Sequence, residues 1–320
     1  MTTLNPLTLV LGLGIITLLT VGSLYYSNKE DGFSKRSLDV IPTNTLWLYY
    51  DQSDVNSREW SDFGSRSSHV LHVPFLNLCY ESIVSNNSLY NVKVIAGLSD
   101  LAILLGGWKE LPVPLQNPIA PVGEAEYNWI RSKVLSKFGG LWVSPTTVCI
   151  DSFPDYTKFG KVIFFGTDID EEYVVPSPNT HVMYSPINHP LMIEWEERSR
   201  SRIENYEGGK QYRQDHKKDL AEFLVKYKNH IEYYQFLELS RLPSGKRIQI
   251  EYLLSSGVEL EIPFFSVYVP IYWKELEERE QFGWFLRMSE KQILDSNLTI
   301  KYLFKPRILL NNMRITETTL

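Results

Sequence analysis

Asp168 and Asp170 are the acids best spaced to work as a pair: they flank Ile169 just after the apolar run Lys161–Gly166, "KVIFFG". On a continuing strand alternate positions face the same way, and two such carboxylates can hold a divalent cation. The competing reading is a solvated acidic loop, since the surroundings read "TDIDEE" and follow a different strand from the one ending at Ser144. Ser144 and Thr146 bracket Pro145 in a turn after the apolar run Leu141–Val143. Their hydroxyls are neutral, whereas hard cations prefer charged oxygens. Asp151, seven residues beyond Ser144, reaches the same point only if that turn folds the chain back. Arg131 has no acid three or four positions away, so no ion pair along a helix face accounts for it. His189 precedes Pro190 where a helix starts, a place that suits an anion or a simple capping role. No P-loop, GxGxxG or Ser/His/Asp arrangement occurs.

These residues need elements to hold them. "TLWLYYD" predicts a strand over Leu46–Asp51, "VPFLNLCYESIVSNN" a helix stopped by a double Asn, and "YNVKVIAG" a second strand followed by a short helix ending at Gly106-Gly107. Pro112, Pro114, Pro118 and Pro121 mark an irregular connection. A helix is expected from about Glu124 to Lys137, acidic at its start and basic toward its end. Gly139-Gly140 then serves as a C-cap that permits close backbone approach. Strands follow at Leu141–Val143, Lys161–Phe165 and Thr180–Tyr184, and a helix begins past Pro190. Such alternation argues an α/β fold with a largely parallel sheet. Further on, "HKKDLAEFLVKYKNHIEYYQFLEL" is helical in pattern, while "KRIQIEYLL" and "VELEIPFFSVYVPIYW" read as strands.

The segment Ala125–Phe153, "AEYNWIRSKVLSKFGGLWVSPTTVCIDSF", resembles the central motif of the DXD-containing sugar-binding glycosyltransferases, especially the capsular polysaccharide synthesis type. Arg131, Leu135, Gly139, Gly140, Trp142 and Thr146 carry the match. "IPTNTLWLYYD", "LCYESIVSNNSLYNVKVIAG" and "VMYSPINHPLMIEW" resemble flanking parts of the family, in its order, over about Ile41–Asn205. The resemblance implies a GT-A-like, Rossmann-like, mostly parallel sheet flanked by helices, and transfer of a sugar from a nucleotide-sugar donor. It places Asn128, Arg131, Trp142, Ser144 and Thr146 on the donor, and His189 on the acceptor or phosphate side. It also implies Mn²⁺ or Mg²⁺ at the strand end. There the sequence departs: the family's Ser-Asp pair is Tyr127-Asn128, and its strand-end Asp is Ser144. No metal ligand is assigned; Asp151, Asp168 and Asp170 are the candidates.

A chain of 320 residues, 43% hydrophobic, can bury a large core. A net charge of -6 and the absence of a basic block argue against nucleic acid as a partner. Two cysteines without a CxxC partner, Cys79 and Cys149, point to buried thiols. Leu7–Tyr26 is a run of 20 residues without a charge, long enough to span a bilayer once. The organisation expected is a membrane anchor over 1–28, a linker over 29–40, a GT-A-like domain over 41–210 and an extension over 211–320 packed on it. Lys29, Lys35 and Arg36 favour a cytosolic domain, whereas sequons at Asn86 and Asn297 would be used only in a lumen, so both orientations stand. The function expected is transfer to a glycan or lipid-linked acceptor. A catalytically inactive glycan-binding or scaffold relative is the alternative.

Overall fold

Strand β1, Thr45–Tyr50, is buried at all six positions, the mark of a strand covered on both faces. A computed structural model describes residues 41–51, 74–168, 177–205, 210–234, 237–239, 248–256, 260, 262–263, 265–271 and 280–304. After β1 come α1 (Pro74–Asn86), β2 (Asn91–Ala96), α2 (Gly97–Leu105), α3 (Glu124–Phe138), β3 (Gly140–Val143) and β4 (Thr147–Cys149). Then follow β5 (Val162–Asp168), β6 (Ser177–Ser185), α4 (Pro190–Asn205), α5 (Lys210–Lys226) and β7 (Ile231–Tyr233). The six-stranded sheet has the order β2-β1-β3-β6-β5-β7. Strand β6 pairs antiparallel with both neighbours, and every other pairing is parallel. Five strands therefore point one way and one runs against them.

Alternation along the strands divides two packing layers. Leu46, Leu48, Tyr50, Leu141, Val143, Ile163, Phe165, Val182 and Tyr184 join the core that includes α1 and β4. Trp47, Tyr49, Trp142 and Met183 are equally buried on the other face. There Trp47 meets Phe138 at 5.6 Å between ring centroids, and Tyr127 meets Tyr49 at 5.8 Å and Trp142 at 5.7 Å. Helices α3 and α4 cover that face and pack on each other; Trp129 Nε1 donates to Glu196 Oε1 at 2.9 Å between them.

The α3–β3 joint is built by its glycines. At the helix start Gly123 N donates to the Glu126 carboxylate at 3.0 Å, tying down one otherwise orphaned N–H. At its end Gly139 and Gly140 have φ of 64° and 105°. A Cβ on Gly140 would lie 2.5 Å from the Thr45 carbonyl oxygen, and Trp47 Nε1 donates to the Gly139 carbonyl at 2.8 Å. The glycine pair thus lets β3 slide in beside β1.

The last third differs from expectation. The helix predicted over His216–Leu239 stops at Lys226, and its continuation becomes β7 at the sheet edge. Ile250–Leu253, within the run expected to be a strand, is a short helix, α6, with Ile250 and Leu253 buried. Among the described residues of the second expected strand, Tyr268–Pro270, β8, is the part that forms a strand, and it pairs antiparallel with β4. Burial against the existing core accompanies the last two departures, whereas β7 is half-buried and is held by its pairing with β5. Cys79 and Cys149 are free and buried. Among the described residues no helix is long and apolar enough to cross a membrane; the apolar run 7–26 and the linker lie outside them.

Candidate functional site

In open α/β sheets ligands bind beyond the carboxyl ends of the parallel strands. Helix α3 leads back into β3, so its first turns lie near the edge where β3 ends. Tyr127, Asn128 and Arg131 are on those turns, and Ser144 follows β3 directly. Thr147 N donates to Ser144 O at 3.0 Å, closing the turn, and Ser144 Oγ lies 3.3 Å from Thr146 Oγ1. Ile271 N, just past β8, donates to Thr146 O at 3.1 Å, so the C-terminal segment braces the turn. Ser144 and Thr146 are each 7% exposed.

Arg131 explains how this edge is held. Its Nη1 donates to the Thr180 carbonyl and its Nη2 to Asn128 Oδ1. The guanidinium also stands 5.4 Å from the Tyr127 ring centre and 5.5 Å from that of Trp195. The Thr180 carbonyl belongs to a β-bulge: Phe164 pairs with Met183 but Gly166 with Asn179, so Phe165 alone faces Thr180, His181 and Val182. Bulges leave backbone groups outside the ladder, and here side chains take them up. Asn179 Oδ1 accepts from His181 N at 2.7 Å, while its Nδ2 donates to Glu238 Oε2 at 3.3 Å. Tyr268 Oη also donates to Glu238 Oε2, at 2.8 Å, and Gly166 leaves the space that the carboxylate fills.

Asn128, Arg131, Trp142, Ser144 and Thr146 therefore come together at one edge, in different roles. Trp142 is fully buried between its neighbours in the sheet, so it is a core residue and not a surface for stacking. Arg131 turns its fork inward onto protein acceptors. Asp151 follows β4, where its N–H donates to the Val267 carbonyl at 3.1 Å and its carboxylate accepts from Ser152 N at 2.8 Å. Asp168 ends β5 opposite Ser177. Because β5 runs parallel to β3 with β6 between them, Asp168 reaches the same edge as Ser144, which corrects the inference drawn from its following a different strand. Asp170 lies outside the described residues.

His189 does not join the group. Ser185 pairs with Gly140 at the start of β3, so His189, four residues on, lies beyond the opposite edge. Its Nδ1 accepts from Leu191 N at 3.2 Å and its carbonyl from Met192 N at 3.0 Å, making it a cap of α4. Burial, and secondarily His230 nearby, pushes its pKa down to about 4. Asn86, in the first sequon, donates its amide to the carbonyls of Ser82 and Cys149 at 2.8 and 3.0 Å, bonds that a glycan on that nitrogen would disrupt.

The strand-end turn does not fit a hard divalent cation. Its side chains offer two neutral hydroxyls 3.3 Å apart, where Mg²⁺ or Mn²⁺ seeks carboxylates. Among the described residues no group of three or more His, Cys, Asp and Glu could hold a metal. Sequence reasoning assigns no role to Asn179, His181 or Glu238. They matter through the β3–β6 register and the C-terminal fold-back, neither of which leaves a local signal.

No family model matches the chain, and no curated protein matches it. Among solved structures it is similar to the PaToxG glycosyltransferase, with 12% identity and a TM-score of 0.35, over 65% of this chain and 77% of that one. At that level of likeness a functional reading has to rest on this chain's own residues.

Proposed function

We propose that the chain is a glycosyltransferase with a GT-A-like sheet that takes a sugar from a nucleotide-sugar donor and delivers it to a glycan or lipid-linked acceptor. In this reading the apolar run 7–26 anchors it to a membrane. The supporting observation is the convergence of Asn128, Arg131, Ser144 and Thr146 at the carboxyl edge of the sheet. The leaving diphosphate needs its developing charge stabilised. With no carboxylate on the turn, the Ser144 and Thr146 hydroxyls are its hydrogen-bond donors, and Arg131 acts from behind by fixing Asn128 and the Thr180 carbonyl.

The test is donor hydrolysis and transfer by the full chain against a panel of nucleotide sugars, first in EDTA and then in Mn²⁺. Turnover in EDTA is the expected result. Calorimetry that finds no heat for any donor, with or without Mn²⁺, overturns the proposal. The mutual pairing of the Ser144 and Thr146 hydroxyls favours one second reading, a binding or scaffold relative that has lost catalysis. A silent parent together with active Ser144→Asp and Asn128→Asp variants would select it.

A further inference from the structure

The pairing of β3 with β6 runs regularly from Gly140↔Ser185 to Val143↔Val182. It continues one step further, because Ser144 N donates to His181 O at 2.8 Å. His181 therefore stands directly opposite Ser144. Directly opposed residues put their side chains on the same face, about 5 Å apart at Cβ. By alternation that is the face of Trp142 and Met183, on which Arg131 also lies. Past this pair the ladder opens. His181 N bonds to Asn179 Oδ1 at 2.7 Å and Ser144 O accepts from Thr147 N at 3.0 Å, so neither returns to its partner across the strands.

The side chains at this edge differ in access. Asn128 and Arg131 are 2% and 4% exposed, whereas His181 is only half-buried. Arg131 spends both terminal nitrogens on protein acceptors. Imidazole can carry positive charge and offer an N–H, the two properties that the Ser144 turn lacks together.

We propose that His181 binds the donor diphosphate beside Ser144 and Thr146, forming an anion site that works without a metal ion. Asn179 and Glu238 are its positioning residues: they hold the bulge that sets the direction of His181. This rests on the glycosyltransferase reading and names the group that faces the leaving diphosphate. The positive charge that this fold needs at the strand end then comes from the neighbouring strand.

The experiment is calorimetric titration of the full chain in EDTA with inorganic pyrophosphate and with the nucleotide-sugar panel, for parent, His181→Ala, His181→Gln and the exposed control His230→Ala. Thermal unfolding of each variant is measured alongside. A charge-assisted hydrogen bond lost on truncation weakens binding on the order of ten-fold or more. His181→Ala is expected to show that loss for both ligands, His181→Gln a smaller one and His230→Ala none. Should His181→Ala fail to fold, the imidazole signal of His181 in the parent, assigned with His181→Gln, is expected to shift on adding pyrophosphate. Donor binding unchanged in the His181 variants, or an imidazole signal that does not move, overturns this inference and leaves the glycosyltransferase reading standing. A parent that binds neither pyrophosphate nor any nucleotide sugar overturns both.

Discussion

Arg131, one turn along α3 from Asn128, reaches across to the carbonyl of Thr180, a backbone group that the β6 bulge leaves facing away from the β5 ladder. A buried arginine used this way is a structural tie as well as a neighbour of the site. Its loss strips donors from one buried and one part-buried acceptor, at about 1–3 kcal/mol each. Arg131→Ala is therefore expected to lower unfolding free energy by about 2–4 kcal/mol in urea titrations, and Arg131→Lys by less, since one ammonium cannot reproduce the fork. A loss under about 0.5 kcal/mol would remove Arg131 from the scaffold.

Gly140 and Gly106 separate two causes of glycine dependence. Both have positive φ, 105° and 106° respectively. A Cβ at Gly106 meets nothing within 4 Å, whereas at Gly140 it would lie 2.5 Å from Thr45 O and 3.0 Å from Trp47 Nε1. Gly106→Ala is expected to cost about 1 kcal/mol of backbone strain. Gly140→Ala should cost at least about 2 kcal/mol more, because β1 and β3 must part. Equal losses in chemical denaturation would mean that close approach is not what Gly140 provides.

How legible the fold was in sequence follows from how local each signal is. Helix α3 and the Gly139–Gly140 stop could be read because charge placement, apolar spacing and glycine act within a few residues. The β4–β8 pair could not, since Thr147 meets Pro270 only after the intervening chain has folded back. At the site, spacing singled out Arg131 and Ser144 but not His181, whose position depends on counting a register from Gly140 and Ser185. Glu238 sat in a stretch with a helical pattern, and only the end of α5 at Lys226 and the bridge to Tyr268 bring it under Gly166. That Asp168 ends its strand at the same edge as Ser144 is likewise a matter of topology, since two successive antiparallel pairings make β5 parallel to β3.

Cys79 and Cys149 are both fully buried, and burial pushes the Cys149 thiol up to about 12 and that of Cys79 well above its ordinary value. Thiolate, the reactive form, is then scarce at pH 8. In the native chain neither cysteine should react with an aromatic disulfide reagent over minutes. Two thiols per chain should appear on unfolding in guanidinium. Fast reaction of either one in native buffer would show that its shell opens readily.

His189 gives a pH dependence whose sign is fixed by its surroundings. With Nδ1 accepting from Leu191 N, the neutral imidazole fits and the protonated one does not. The folded-state pKa, about 4, lies below the ordinary 6.5. Between these values the unfolded chain binds the extra proton, so stability rises with pH there. The contribution is whole above pH 6.5 and is lost progressively as pH falls toward 4. At about 1.4 kcal/mol per pH unit, the loss by pH 4 is on the order of 3 kcal/mol. His189→Asn keeps a side-chain oxygen for the helix N-terminus but does not titrate. Urea midpoints measured from pH 4 to 7 should fall more steeply toward acid in the parent than in this variant. Parallel curves would assign the acid sensitivity to other groups and leave His189 a cap that titrates normally.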